Sequence, residues 1–361
     1  MICYINRSTV DYDIRLQKYV QACQETNTPY CVIGWDRLRN CSKVYLNEYQ
    51  YHAYSPYGNG LKSLFPLIGW VFFVLYHLFK LRKSYRVIHA CNIENYLVAF
   101  PAKWFGKKML LDIYDSTESK IETRVAKKCD ALILPSNHRL EQINVRREEL
   151  KHYLEVENVP VFHEGVTRKN MPEFPNMIHL SYVGVMQRNI RGIENVLQLV
   201  NEDSRFVLDI AGTGDGLDKE IEEMSKKNDR IRYHGKVNYK TALNLMSSSD
   251  FIVALYYLNC PSHTYASPNK YYESLYLGKP VITTKGTLVG NAVIEHDTGY
   301  VVEDSKDSFA SLFEKVNSED FANDYMVKSR NCEERWKLYY SSYFANITKG
   351  KYLEMMNKLS S

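Results

Sequence analysis

The chain has 361 residues, too many for one ordinary core, so two domains are expected. Its 45% hydrophobic and 24% charged residues exclude a disordered chain, and a net charge of +4 is too slight to argue for a nucleic-acid partner. Eight cysteines form no Cys-x-x-Cys pair and have no histidines at zinc spacing, so they read as reduced thiols and no metal site is expected; MICYINRS lacks the layout of a signal peptide, and the expectation is a cytoplasmic protein.

Apolar runs at 1–5, 30–34, 86–90, 108–112 and 131–135 alternate with helix-like stretches, the pattern of βαβ units and a parallel sheet. After the first run, Asp13 and Arg15 open a helix; His89 ends the third, and Asp112, Asp115 and Glu118 follow from the fourth. An imidazole or carboxylate at such a sheet edge can take a proton from an acceptor hydroxyl or orient a sugar. Asp115, ahead of Ser116 and Thr117, reads equally as a helix cap. Leu64 to Phe79 is apolar but too short to span a bilayer, and Lys80, Arg82, Lys83 and Arg86 follow it. It reads as a core helix or as a helix at an anionic membrane surface, and the two are compatible.

Val159 to Asn176, with three prolines, is the linker candidate. The expected division is 1–163, a linker at 164–176, 177–325, and a C-terminal helix at 326–361 that returns to the first domain. A second strand series runs through 178–184, 205–211, 231–235, 251–255 and 280–284. The fold class is therefore α/β, two Rossmann-like parallel-sheet domains facing a central cleft, with ligand at the carboxyl ends of the strands.

Gly184 ends one strand ahead of a loop with Arg188 and Arg191, whose guanidinium forks suit a diphosphate. Gly212 and Gly214 follow the next strand, but Leu217 stands where a dinucleotide fingerprint needs glycine, so a tight turn is the simpler reading. Gly235 and Lys236 mark another strand end, where a backbone edge can meet a base.

The densest stretch is SPNKYYESLYLGKPVITT, 267–284. Ser267 suits an N-cap, Pro268 the first helical position and Gly278 the residue past the last turn. Asn269 and Glu273 lie four apart on the expected helix, and Lys270 and Glu273 three apart. Free helix-end N–H groups with a lysine suit a phosphate, and a carboxylate one turn further suits sugar hydroxyls. Together they suggest a nucleotide.

This ordered series, from Asp13 and Arg15 through Lys108–Asp115 and CDALILPS to Arg191-Gly192, Ser267–Glu273 and Gly278-Lys279-Pro280-Val281, resembles the GT-B glycosyltransferases of the family 4 type. The resemblance implies that Glu273 binds the nucleotide ribose and that Arg188 or Arg191, with Lys270 and the amides around Ser267 and Asn269, holds the diphosphate. The Gly184, Gly212 and Gly214 turns and the loop at Gly235 and Lys236 would line the donor site. It further implies an acceptor site in the first domain, with Asp13, Arg15 and His89 as candidates. The expected reaction is metal-independent, retaining transfer from a nucleotide diphosphate-sugar, UDP-sugar favoured over GDP-sugar, to a glycan or lipid-linked acceptor in capsule or lipopolysaccharide assembly. Asp115 would be the base of an inverting route. No cofactor beyond the donor is implied, and the location is the cytoplasm, at the inner face of the membrane. The pattern departs twice: Val185 stands where the family has an arginine, and Tyr265 where it has a second glutamate. A non-catalytic partner of a glycosyltransferase complex and a nucleotide-sugar epimerase are the alternatives.

Overall fold

The computed structural model describes residues 1–39, 41, 44–55, 64–162, 177–214, 216–314 and 318–361. The chain divides into two compact units, Met1–Val161 with Ser342–Ser361, and Phe162–Ser341. The linker read over 164–176 lies outside the described residues.

The first unit runs β1 (Ile2–Asn6), α1 (Ile14–Glu25), β2 (Tyr30–Asp36), β3 (Glu48–His52), α2 (Leu64–Lys80), β4 (Val87–Cys91), α3 (Asn92–Ala99), β5 (Lys108–Asp112), α4 (Lys120–Lys128), β6 (Ala131–Leu134), α5 (Arg139–Gln142) and β7 (Tyr153–Glu155). Its strands form a seven-stranded parallel sheet in the order β3-β2-β1-β4-β5-β6-β7. Every residue of β1 and β4 is buried, as a parallel sheet covered on both faces requires. Alternate side chains divide between two cores: Cys3 and Ile5 join the one containing Trp70 and Val74 of α2, while Ile2 and Tyr4 join the one containing Leu16 and Tyr19 of α1. The edge strands β3 and β7 were not foreseen. Their sequences, EYQYH and YLE, are short and polar because an edge is covered on fewer sides.

The second unit runs β8 (Ile178–Val183), α6 (Ile193–Glu202), β9 (Phe206–Ala211), α7 (Leu217–Ser225), β10 (Ile231–Tyr233), α8 (Tyr239–Ser248), β11 (Phe251–Ala254), α9 (Asn269–Leu277), β12 (Val281–Thr284), α10 (Leu288–His296), β13 (Gly299–Val302), α11 (Lys306–Ser311) and α12 (Glu319–Arg335). Its parallel sheet has the order β10-β9-β8-β11-β12-β13, so chain order reverses between β8 and β11. That reversal brings the loop after β8 beside the segment leading from β11 into α9. Such switch points are where open α/β sheets bind ligands.

The aromatic tail is shared out. Trp336 packs on Phe162 and Tyr276 of the second unit, with ring centroids 5.0 and 5.2 Å apart. The Tyr343 hydroxyl accepts from the Glu157 amide at 2.6 Å in the first unit. Tyr352 and then Leu353, Met356 and Leu359 of α13 (Leu353–Ser360) complete the core on the α1 side.

Candidate functional site

The candidate site of the second unit grows from the backbone at the β8/β11 switch point. Gly212 has φ +135°, and a Cβ there would lie 1.8 Å from the Gly184 carbonyl oxygen. Glycine is therefore required at 212 by the contact between the turns after β8 and β9, with Gly214 packed likewise on Met186. The Gly212 amide also donates to the Gly235 carbonyl at 2.8 Å, tying in the third turn, where Lys236 is exposed.

Gly184 serves a side chain. The Lys270 ammonium lies 3.1 Å from where a Cβ on Gly184 would stand and 4.5 Å from the Tyr182 ring centroid. Lys270 belongs to the first turn of α9, whose N-cap is Pro268, with φ −75° and ψ 144°. The helix thus begins one residue later than the Ser267 cap implied, and Ser267 instead sits 3.5 Å from the Tyr272 hydroxyl. At the other end Gly278 takes φ +65°, and the amides of Gly278 and Lys279 close on Leu275 and Ser274. Being first in the helix, the amides of Asn269 and Lys270 have no intrahelical acceptor.

One turn along α9, Glu273 is 5% exposed. Burial pushes its carboxyl up to about 7, against the pull of Lys270 and of Tyr239 at the start of α8. The Tyr239 hydroxyl is buried beside the Glu273 carboxyl. Desolvation brings the Lys270 ammonium down to about 8, aided by the positive charge of Arg191 and opposed by Glu273. Arg191 stacks over Tyr256, 4.8 Å from the ring centroid, and its Nε donates to Gln187 at 3.1 Å. Two cations and one carboxylate in a partly dehydrated pocket leave a positive excess suited to a multivalent anion.

Arg188 is placed elsewhere, in an exposed ion pair with Glu220 of α7. The charge beside Gly184, where Val185 replaces the arginine of the resembled pattern, comes from Lys270. Tyr265 is half-buried at the end of a 3-10 turn, Pro261–Tyr265. Tyr182, Tyr239 and Tyr256 were missed in the sequence, because each reaches the site from a separate element and no local spacing links them to α9.

The sequence candidates of the first unit meet a different fate. Asp112 is fully buried at the end of β5 and receives Arg15 through Nε at 3.1 Å and Nη2 at 2.7 Å, Tyr19 at 2.9 Å and His89 Nε2 at 3.2 Å. Burial alone would raise its pKa, but Arg15 and His89 hold the carboxyl well below its ordinary value. The remaining Arg15 nitrogen donates to the Val156 carbonyl and to Asn158. His89 Nδ1 meets the Tyr352 hydroxyl at 2.9 Å, and burial pushes the imidazole pKa down against the pull of Asp112. Asp13 caps α1 through the Leu16 amide at 2.9 Å and accepts from Asn6 at 2.6 Å. The three acceptor candidates are thus engaged within the fold.

Asp115 stands apart from that network, exposed at the carboxyl edge of the sheet, its amide 3.4 Å from Asn92 Oδ1. It is not a cap, for Ser119 caps α4 by accepting from the Glu122 amide at 3.2 Å. Arg7 and Glu94 share its edge of the sheet as a loose ion pair at 3.9 Å.

Residues 178–318 match the family of glycosyl transferases group 1. Among solved structures, sucrose-phosphate synthase of Thermosynechococcus elongatus superposes with a TM-score of 0.73 at 14% identity over 99% of both chains. Anabaena HepE in complex with UDP and glucose gives 0.70 at 12% identity, again over 99% of both. WaaG, a glycosyltransferase involved in lipopolysaccharide biosynthesis, gives 0.66 at 10% identity over 96% of this chain and 98% of its own. No curated relative matches the sequence. The structural likenesses carry the two-sheet fold across the full length, and the family match falls on the unit that holds Lys270 and Glu273.

Proposed function

We propose that this chain, whose residues 178–318 match the glycosyl transferases group 1 and whose two units are each built on a parallel sheet, is a glycosyltransferase that moves a sugar from a nucleotide diphosphate donor to a glycan or lipid-linked acceptor in cell-surface polysaccharide assembly. The observation that carries this is the Lys270, Arg191 and Glu273 cluster at the start of α9.

In this reading the departing diphosphate lies against Lys270, Arg191 and the free amides of Asn269 and Lys270. Those groups are in place before charge develops, and a site so arranged stabilises the transition state without reorganising. Two side-chain cations and a helix end supply the positive charge, so the reading calls for no metal. Glu273, once ionised, accepts from the ribose hydroxyls. With the leaving diphosphate as base, transfer retains configuration; Asp115, exposed at the edge of the first sheet, is the base of an inverting route. UDP is the favoured nucleotide, GDP the second, and HepE was solved with UDP and with UDP-glucose. The acceptor belongs to the first unit, and residues 64–86 meet the inner face of a membrane from the cytoplasmic side.

Tyr265, in place of the glutamate of the resembled pattern, favours one competing reading, a nucleotide-binding partner without turnover. A thermal-shift screen against UDP, GDP, CMP and their sugars, followed by donor hydrolysis with the best of them, decides between the two. Stabilisation by a nucleoside diphosphate with hydrolysis supports the transferase, stabilisation without turnover across acceptors supports the partner, and stabilisation by no nucleotide overturns both.

A further inference from the structure

The helix α2 buries one side and leaves the other bare. Trp70, Val74, His77 and Leu78 face the core, Trp70 stacking on Trp35 with centroids 5.6 Å apart. Phe65, Ile68, Phe72, Tyr76 and Phe79 form the opposite stripe at helical spacing, with Phe65 82% and Phe72 68% exposed. The stripe continues onto a second element. Phe79 meets Phe105 at 6.3 Å, and Phe105 ends the 3-10 segment Phe100–Phe105, which carries Trp104 at 80% exposure.

Charge identifies the occupant. From Leu64 to Leu111 the chain holds seven lysines and arginines against one acid, Glu94, and of the seven Lys103 and Lys108 face Asp130 at 2.7 and 4.0 Å. Lys80 and Lys83 are exposed at the end of α2, and the Arg82 guanidinium lies over the Phe79 ring, 4.0 Å from its centroid, so a cation already borders the apolar stripe. A protein partner of ordinary composition would not demand so one-sided a field, whereas anionic lipid headgroups do. Aromatic rings with flanking cations suit the boundary between headgroups and acyl chains. At 17 residues α2 extends about 25 Å, less than the roughly 30 Å of a hydrocarbon core, so it lies along a bilayer rather than through it.

We propose that α2 and Phe100–Phe105 form one face that beds into the interface of a bilayer carrying anionic lipid. This deepens the membrane contact of residues 64–86 and rests on that part of the functional reading, not on the transfer reaction.

Sedimentation with phosphatidylcholine vesicles, with and without phosphatidylglycerol and with no sugar donor present, tests it independently of turnover. The protein is expected to sediment with the anionic vesicles, to be released by salt, and to shift its tryptophan emission to the blue, a shift lost in Trp104→Phe. Phe65→Ser with Phe72→Ser, or Lys80→Glu with Lys83→Glu, should each weaken binding about tenfold or more while leaving the melting temperature unchanged. Equal binding to neutral vesicles, full binding by either double variant, or no vesicle binding by a chain that self-associates through Phe72 would overturn the proposal. If vesicle binding fails while donor hydrolysis proceeds, only the membrane contact is lost.

Discussion

Two of the polar clusters among the described residues, one in each unit, solve the burial of charge in opposite ways. Around Asp112 the donors of Arg15, Tyr19 and His89 converge until the carboxylate is held firmly ionised and no Arg15 nitrogen is left over. Around Glu273 the partners are fewer, Lys270 and Tyr239, the carboxyl is raised to about 7, and the neighbouring ammonium is lowered to about 8. On the proposed reading, a network so complete serves the fold, and one whose groups sit near neutrality serves a ligand. The difference separates framework from chemistry where residue type does not, since both clusters are built from a carboxylate, a cation and tyrosines.

The sharpest way to break that comparison is a pair of substitutions read by two assays. Asp112→Ala strands the Arg15 guanidinium, and urea unfolding should show a loss of about 3–5 kcal/mol. Glu273→Ala should leave the unfolding midpoint near wild type yet lower kcat/KM by of order 10²–10³. An Asp112→Ala protein of normal stability, or a Glu273→Ala enzyme of normal turnover, would reverse the two assignments.

The second test is pH. On the proposed reading the protein binds a nucleoside diphosphate best with Lys270 protonated to meet the diphosphate and Glu273 ionised to accept from the ribose. Nucleotide affinity by calorimetry should therefore fall as pH rises through about 8, and fall again as pH drops below about 7. Asp112 behaves otherwise. Its folded pKa lies below the unfolded one, so its stabilisation is fully present above the ordinary value of 3.8 and is lost only as pH falls beneath it. A nucleotide affinity flat between pH 6 and 9 would erase the electrostatic contrast.

The smallest expected effect is that of Tyr352→Phe. It removes the hydroxyl between His89 and Tyr4 and should cost about 1 kcal/mol in stability without moving kcat/KM. A change in turnover instead would draw the first cluster into the chemistry.

How much of this was legible depended on distance along the chain. The helix at α9 was visible because its start, stop and paired charges lie within 267–284, and it was displaced by a single residue where Pro268 rather than Ser267 caps it. The parallel sheets were visible because buried strands are apolar runs; β3 and β7 were not, since an edge needs no such run. Arg15 and His89 were read as facing a cleft because strand ends and helix starts often do. Their convergence on Asp112 spans separations of 97 and 23 residues, and no local pattern encodes it. The lysine that lies over Gly184 was hidden for the same reason.

The return of residues 342–361 to the first unit has a consequence for the order in which the protein is made. Tyr4, Tyr19 and His89 emerge from the ribosome before the second unit, but their partner Tyr352 emerges only after it. The second unit, contiguous in sequence, can close while the first still waits for residues 342–361. Cutting the chain after Val161 would therefore yield an open core, not a free-standing domain; a self-sufficient first unit needs Ser342–Ser361 joined back to it.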